Sequence, residues 1–188
     1  MYWGAPGEDN TEVTLRAAFD RARTARISYV VVASTTGKTA MAAAEIAAEN
    51  PDIKVTVVTH HAGFKSPGHQ EMATDVVERL KAAGINVLTT THLFANVERA
   101  VVNKFGGLYV GGVISETLRM FGQGTKVCVE IATMALDAGL IPHGVEVIAV
   151  AGSGRGADTA LILKPAHANE FFNTEILEVV CKPRKVRR

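Results

Sequence analysis

Between residues 27 and 90 the chain alternates between strand-like and helix-like segments. Strands are predicted at residues 27–33, 53–59 and 85–90, and helices at residues 38–49 and 69–83, from β-branched apolar runs and from Ala-rich or amphipathic runs. Because each connection is helical, successive strands should be parallel and joined by right-handed crossovers. The alternation therefore predicts a doubly wound sheet with helices on both faces.

The rest of the chain adds elements around this unit. Further helices are predicted at residues 11–26, 96–104 and 125–138, and further strands at 145–151, 159–163 and 175–180. The helix at 125–138 is apolar on most of its circumference, which indicates a buried position. Only seven residues, GSGRGAD, separate the strands that end at 151 and begin at 159, so this pair should be antiparallel. Residues 92–124 are otherwise irregular and are expected to pack over the strand ends.

Length and composition fit one domain. The chain has 188 residues, is 47% hydrophobic and has a mean hydropathy of +0.14, enough to bury a full core. We expect an α/β fold of three layers, with a mostly parallel sheet and an antiparallel edge hairpin, over residues 1–181. No apolar run approaches the roughly 20 residues of a membrane span, and the N-terminus lacks the features of a signal peptide. A cytoplasmic protein without a membrane partner is therefore expected.

Residues 182–188, KPRKVRR, form a predicted basic tail that holds five of the 20 Lys and Arg residues. Without this tail the chain has 15 Lys and Arg against 19 Asp and Glu, which is unlike a surface that binds duplex nucleic acid. The tail can be a solvated terminal extension or a nucleic-acid contact. A basic run without interleaved aromatic residues favours the solvated extension, so nucleic acid is not an expected partner.

Residues 34–39, STTGKT, end like the ATP-binding P-loop. That loop also needs a glycine five positions before Gly37, where this chain has Val32. An ATPase of this kind further needs a strand that ends in a magnesium-binding aspartate, and none of the other predicted strands does. These two departures exclude the nucleotide-hydrolase interpretation.

The same segment keeps the features of an anion site. A strand, a short turn and the start of an Ala-rich helix direct unpaired N–H groups at one point, beside the hydroxyls of residues 34–36 and the ammonium of Lys38. This arrangement suits a phosphate group. The alternative is that Thr35 or Thr36 only caps the helix and that Lys38 is solvated.

A second glycine-rich loop lies between the predicted antiparallel strands, at residues 152–158. It is not a dinucleotide-binding fingerprint, because a strand rather than a helix follows it. Its glycines permit positive φ and close backbone approach, and Arg155 offers donors suited to phosphate or carboxylate. The alternative is a flexible hairpin tip with a solvated arginine. A third glycine-flanked helix start, at residues 122–126, is a weaker anion candidate of the same kind.

Three histidines follow predicted parallel strands. His60 and His61 come directly after the second strand, and His92 comes just after the third. They can face a ligand or transfer protons near neutral pH, although each alone can equally be a polar loop residue. No His-x-x-His, His-x-x-x-His or Cys/His cluster occurs, so no metal site is expected.

The two glycine loops together resemble those of the C-terminal domain of pyruvate kinase. In that domain a Thr/Ser-Gly-Arg/Lys-Ser/Thr loop holds one phosphate of a sugar bisphosphate effector, and the hairpin loop helps to close the site. Nearly the whole chain is also similar to a stand-alone archaeal family of pyruvate kinase C-terminal-like proteins. The segments that carry this likeness are VVASTTGKTA, GTKVCVEIATMALDAGLI and VIAVAGSGRGADTALILKPAHANEFF.

The resemblance implies a phosphate at residues 34–39, with residues 152–156 closing over it. The archaeal family further implies flavin mononucleotide (FMN) as a cofactor, and Phe64, Leu93 and Phe94 are candidates for contact with its ring. No pyruvate kinase activity is expected, because the barrel that carries that chemistry has no counterpart in this sequence.

We therefore expect a protein that binds a phosphorylated small molecule such as FMN. The alternative is a flavin-dependent or sugar-phosphate enzyme that uses His60, His61 or His92 for proton transfer. A third expectation is self-association into a homo-oligomer, since the related pyruvate kinase domain lies at subunit contacts. The predicted cofactor-binding residues are Ser34, Thr35, Thr36, Gly37, Lys38, Thr39, His60, His61, Gly152, Ser153, Gly154, Arg155 and Gly156.

Overall fold

The structure, a computed structural model, describes residues 1–95 and 97–185. The strands are β1 (Tyr2–Trp3), β2 (Tyr29–Ala33), β3 (Lys54–Val58), β4 (Asn86–Leu88), β5 (Val147–Ala151), β6 (Thr159–Lys164) and β7 (Glu175–Pro183). The α-helices are α1 (Thr11–Ala25), α2 (Lys38–Ala48), α3 (Thr74–Ala82), α4 (Val97–Phe105), α5 (Val110–Arg119) and α6 (Gln123–Asp137). Short 3-10 helices lie at Glu8–Asn10 and Ala168–Asn173.

All of these strands belong to one sheet of order β1-β7-β6-β5-β2-β3-β4. Strands β5, β2, β3 and β4 are parallel to one another, whereas β6 is antiparallel to both β5 and β7. The mostly parallel sheet with an antiparallel hairpin is thus confirmed. The sheet continues past the hairpin through β7 and β1, so the hairpin is not its outermost element.

The last strand extends into the segment that was predicted as a tail. Strand β7 ends at Pro183, and Lys182 and Pro183 pair in parallel with Tyr2 and Trp3 of β1. The β1 strand was not predicted, because two residues are too few to show a periodic pattern. Residues 186–188 of the predicted tail lie outside the part of the chain that the structure describes.

Hydrophobic cores on both faces of the sheet make three layers. On one face, Val30 and Val32 of β2 pack in a cluster with α1 and α2. On the other face, Val31 packs in a cluster with α6, most of whose residues are buried. Alternating side chains of one central strand therefore support both layers, as expected for a sheet buried on both faces.

Two helix predictions differ from the structure. Helix α3 begins at Thr74 rather than at residue 69, and the intervening residues form an irregular loop. Residues 110–119 form α5, where no helix was predicted, because Gly111 and Gly112 lower the intrinsic helix propensity. Packing against α6 compensates for this, and tertiary contacts therefore override the local preference. The predicted start of α4 at Asn96 falls on a residue that is not described.

Among the described residues, no helix has the length and apolar character needed to cross a bilayer.

Candidate ligand site at the carboxyl ends of the parallel strands

The parallel strands bring four loops to one edge of the sheet. Residues 34–37 follow β2, His60 follows β3, residues 89–92 follow β4, and residues 152–158 follow β5. Because these four strands are parallel, their carboxyl ends lie side by side, which is where open α/β sheets bind ligands. The edge thus collects these loops and the start of α2, which together carry the residues of the predicted site.

The loop after β2 has the geometry of an anion cradle. The N–H of Ser34 donates to the carbonyl of Val58 at 3.0 Å, and the buried Ser34 Oγ accepts the N–H of Ala40 at 3.2 Å. Within the described residues, the N–H groups of residues 35–39 donate to no protein acceptor. Helix α2 therefore begins with unpaired N–H donors. The N–H of Ala40 in its first turn is paired, and its acceptor is Ser34 rather than Thr35 or Thr36.

Gly37 allows this loop to lie against α3. Its φ of 96° is in the left-handed region, and an added Cβ would collide with Val76 Cγ1. Glycine is the residue that adopts such a φ at little cost and without steric conflict. The loop conformation is therefore defined by contact with α3 as well as by its own sequence.

The hairpin loop is closed by Asp158, a buried residue that sequence reasoning did not assign to the site. Asp158 Oδ2 accepts the N–H groups of Gly7 and Ser153, each at 3.1 Å, and Oδ1 accepts the Thr159 hydroxyl at 2.8 Å. Gly152 has no room for a Cβ, which would meet the carbonyl of Gly156. The glycine loop is thus a defined structure and not only a flexible tip.

The N-terminal segment lies between the two predicted loops. Glu8 Oε2 is 3.6 Å from the Nζ of Lys38, whose side chain is 83% exposed. Thr11 Oγ1 accepts the N–H of Ala157 at 3.0 Å, and a Cβ on Gly156 would collide with Glu8 and Thr11. Both loops therefore contact the same N-terminal turn, a role with no signal in the local sequence.

A cavity of about 480 Å³ extends from these loops between α1 and α2. Lys38, Thr39 and Gly156 lie on its lining, together with Arg16. Its lining carboxylates are Glu8, Asp9, Glu12, Glu45 and Glu49. Carboxylates outnumber cations on this lining, so an anionic ligand is not expected to extend into this cavity from the Ser34 loop.

The predicted histidines come together on the other side of the loop. His60, His61, Phe64 and His92 form a cluster in which the ring centroids of His60 and Phe64 are 3.9 Å apart. His92 lies 5.4 Å from His60 and 5.2 Å from His61 between ring centroids. We call these four residues the imidazole cluster. Its position beside the Ser34 loop follows from the pairing of β2 with β3.

The candidate ring contacts separate into two groups. Phe64 belongs to the imidazole cluster and its side chain is 47% exposed, so it is accessible to a ligand. Leu93 packs against the core around α6. Phe94 is buried and makes an edge contact with Phe171 at 5.3 Å between ring centroids. Of these three residues, Phe64 is the most exposed and thus the best placed for contact with a bound ring.

A hydrogen-bond network orients the imidazole cluster. His60 Nδ1 lies 2.9 Å from Glu71 Oε2, and the Gln70 side-chain amide donates to Thr59 Oγ1 and to the carbonyl of His60, each at 3.2 Å. Sequence reasoning missed Gln70 and Glu71, because they lie within the segment that was predicted to be helical. Their irregular backbone is what directs them toward His60.

His92 is held uncharged near neutral pH. Burial lowers its pKa from 6.5 to about 4, and electrostatic interactions with His60, His61 and Lys126 act in the same direction. The carboxylate of Glu130 opposes this shift but does not overcome it. His92 is thus suited to hydrogen bonding in its neutral form.

Two further candidates are Arg155 and the start of α6. Arg155 is exposed, and no hydrogen bond or ion pair of its side chain occurs within the described ranges 1–95 and 97–185. At the third glycine-flanked helix start, Gly122 precedes α6 with a φ of 128°. In the part of the chain that the structure describes, no group of three or more His, Cys, Asp and Glu side chains is arranged to hold a metal ion.

Solved structures similar to this chain are pyruvate kinases of Cryptosporidium parvum. One, without a named ligand, is 20% identical over 76% of this chain, with a TM-score of 0.39. A second, in complex with ADP, is 20% identical over 81% of this chain, with a TM-score of 0.41. The chain covers 20% and 22% of these two proteins, so it spans about a fifth of their length.

The family profile described as "Pyruvate kinase, alpha/beta domain" matches residues 12–163. This range runs from α1 to β6 and includes both glycine loops and the imidazole cluster. The match agrees with the α/β architecture of the structure, and the chain belongs to the pyruvate kinase alpha/beta domain family.

Proposed function

We propose that this protein binds a phosphorylated small molecule at the carboxyl ends of its parallel strands, with FMN as the first ligand to test. The observation that carries the proposal is the set of unpaired N–H groups at residues 35–39, where α2 begins. Such groups, together with the positive end of the helix dipole, favour a phosphate. The choice of FMN rests on the resemblance to stand-alone archaeal proteins, and that resemblance is part of the same proposal.

Lys38 would supply the positive charge for the phosphate. Its present partner, Glu8, is 3.6 Å away, and both side chains are largely exposed. An exposed ion pair of this kind contributes about 0–1 kcal/mol, so a phosphate can compete for the ammonium group. The Thr36 hydroxyl, also exposed, offers a further hydrogen bond.

The rest of the ligand would extend toward the imidazole cluster. Carboxylates line the cavity on the other side of Lys38, whereas His60, His61 and Phe64 offer planar groups for stacking. A planar isoalloxazine ring fits this set of neighbours, and a bound flavin would supply redox chemistry there. In this proposal the residues of the chain bind and orient the ligand, and pyruvate kinase activity is not included.

The first experiment is an absorbance spectrum and a native mass spectrum of the protein as purified. It is followed by calorimetric titration with FMN, riboflavin and inorganic phosphate. The double variant Lys38→Ala/Thr36→Ala should weaken FMN binding by about 2–4 kcal/mol, because one charge-assisted and one neutral hydrogen bond are lost. Lys81→Ala, which removes an exposed lysine from α3, is the matched control.

Riboflavin lacks the phosphate, so it should bind more weakly than FMN and be insensitive to the double variant. Unchanged FMN affinity in a folded double variant would remove the Ser34 loop from the site. Equal affinity for riboflavin and FMN would show that the phosphate is not recognised.

A second candidate function is a flavin-dependent or sugar-phosphate enzyme. It is supported by the His60–Glu71 hydrogen bond, which orients the imidazole with Nδ1 toward the carboxylate and so directs Nε2 elsewhere. NADH oxidation by the FMN-loaded protein tests the flavin branch, with His60→Gln against the exposed control His143→Gln. Turnover no faster than that of free FMN would reject this branch, and sugar phosphates would then be screened as substrates.

Self-association into a homo-oligomer is also part of the proposal. Exposed apolar side chains on α4 and α5, including Val97, Val101, Phe105 and Val110, support it. Light scattering coupled to size-exclusion chromatography measures the oligomeric state directly. A monomer across the micromolar range would contradict it.

A further inference from the structure

A second cavity, which shares no lining residue with the Ser34 loop, lies between α4, α5 and the start of α6. Its volume is about 810 Å³, within the range of about 300–1,000 Å³ that is common for small-molecule sites. We call it the α4–α5 cavity. Its apolar lining residues are Phe94, Ala95, Val102, Leu108, Tyr109, Val113 and Met120. The α4–α5 cavity thus offers a substantial apolar surface to a ligand.

The same cavity is lined by three cations, Arg99, Arg119 and Lys126, and by one carboxylate, Glu116. Two of the cations are already paired with carboxylates. Arg119 bonds to Glu116 and donates to Gln123 Oε1 at 2.7 Å, and the buried Lys126 bonds to Glu130. Arg99 forms no ion pair or hydrogen bond within residues 1–95 and 97–185, so its charge is in excess.

These three positive charges are close enough to affect one another. Burial lowers the pKa of Lys126 although the carboxylate of Glu130 opposes this shift, and the charges of Arg119 and Arg99 also lower the pKa. The Lys126 ammonium also lies 5.2 Å from the centre of the Phe94 ring, where the ring face offsets part of its charge. An anion in the cavity would relieve the mutual repulsion of the cations.

The exposed apolar side chains around the cavity favour a ligand that also has an apolar part. Leu108 is 91% exposed and Met120 is 75% exposed, although both contribute to the lining. An apolar body seated between them would remove this surface from water, at about 25 cal/mol per Å² of apolar area. We propose that the α4–α5 cavity is a second ligand site, which binds an organic anion with an apolar body.

The test is a fluorescence titration with anilinonaphthalene sulfonate, an aromatic monoanion. Its neutral parent, N-phenylnaphthylamine, reports on apolar binding alone. Arg99→Gln removes the unpaired cation at an exposed position and should not affect folding. Lys104→Gln removes another cation of α4, outside the cavity lining, and is the matched control. Val113→Trp, at a half-exposed lining position, obstructs the cavity with a larger side chain.

The proposal predicts saturable binding of one sulfonate probe per chain. Arg99→Gln should weaken it about tenfold, as expected for a lost charge-assisted hydrogen bond, whereas Lys104→Gln should change it less than about twofold. Val113→Trp should abolish binding of both probes, and the neutral probe should not respond to Arg99→Gln. Equal effects of Arg99→Gln and Lys104→Gln would overturn the proposal, because they would indicate general surface attraction. Absence of saturable binding, or binding insensitive to Val113→Trp, would overturn it as well.

Discussion

The buried carboxylate of Asp158 accepts the backbone N–H of Ser153 at 3.1 Å and so closes the hairpin loop on itself. The same oxygen accepts the N–H of Gly7, and through it the N-terminal segment is joined to the loop. One side chain therefore connects two chain segments that are distant in sequence. This connection also bears on the proposed ligand site, because Glu8 packs against Gly156 and lies 3.6 Å from the Nζ of Lys38.

Asp158→Ala should lower the free energy of unfolding by about 2–4 kcal/mol, because it leaves partly buried N–H groups without an acceptor. Asp158→Asn should cost less, since one carbonyl oxygen remains. Urea unfolding measures both, with the exposed Asp52→Ala as control. If Asp158→Ala were as stable as Asp52→Ala, the closure of the loop would not depend on this carboxylate.

Gly37→Ala should destabilise the protein for two separate reasons. The left-handed φ costs an alanine about 1 kcal/mol, and the collision with Val76 adds about 1–3 kcal/mol of overpacking. Gly84→Ala is the matched control, because Gly84 has a φ of 76° and no atom near an added Cβ. In thermal unfolding, Gly37→Ala should therefore have a lower Tm than Gly84→Ala.

The double variant Gly37→Ala/Val76→Ala separates the two causes. It should recover the part of the loss that comes from the collision with Val76. If the double variant lost as much stability as the two single variants together, the collision of the added Cβ with Val76 would not be a cause of the destabilisation.

The low pKa of His92 predicts a specific dependence of stability on pH. In the unfolded chain His92 binds a proton below about pH 6.5, but in the folded protein it does so only below about pH 4. The unfolded state therefore holds an additional proton between these values, and stability falls as the pH is lowered through this window. Above pH 6.5 this group makes no pH-dependent contribution.

His92→Gln should remove this contribution. The difference in free energy of unfolding between the parent and the variant should thus change between pH 6.5 and pH 4 and be constant above pH 6.5. Urea unfolding at several pH values measures the difference. In the folded parent, NMR titration should show His92 neutral at pH 6, and a midpoint near 6.5 would contradict the assigned burial effect.

The buried pair of Lys126 and Glu130 should show strong coupling. Lys126→Met leaves a buried carboxylate without its cation, which costs about 3–5 kcal/mol. Adding Glu130→Gln should recover most of this loss, since the amide oxygen can still accept the N–H of Phe94, now 3.2 Å from Glu130 Oε1. The double-mutant cycle is measured by chemical denaturation.

The exposed pair of Arg16 and Glu12, with the same helical spacing, is the reference for this cycle. Its coupling energy should be no more than about 0.5 kcal/mol, because both side chains are solvated. A coupling energy as small as this for Lys126 and Glu130 would contradict their burial.

Much of the fold follows from local patterns. The alternation of strands and helices from β2 to β4 was predictable because apolar period and helix-ending residues are local signals. The antiparallel pairing of β5 with β6 was predictable from the seven residues between them, which are too few for a crossover. The loop at residues 34–39 was also predictable as an anion candidate, since its hydroxyls, glycine and lysine are contiguous in the chain.

Other features depend on contacts between segments that are far apart in sequence. Glycines in α5 argue locally against a helix, yet the helix forms because it packs on α6. Asp158 meets the N–H of Gly7 across 151 positions, and His92 joins His60 only when β4 pairs beside β3. Composition and spacing carry the propensity of a segment, but they do not specify which distant group satisfies a buried polar atom. Burial and nearby charges lower the pKa values of His92 and Lys126, so these shifts exist only in the folded chain.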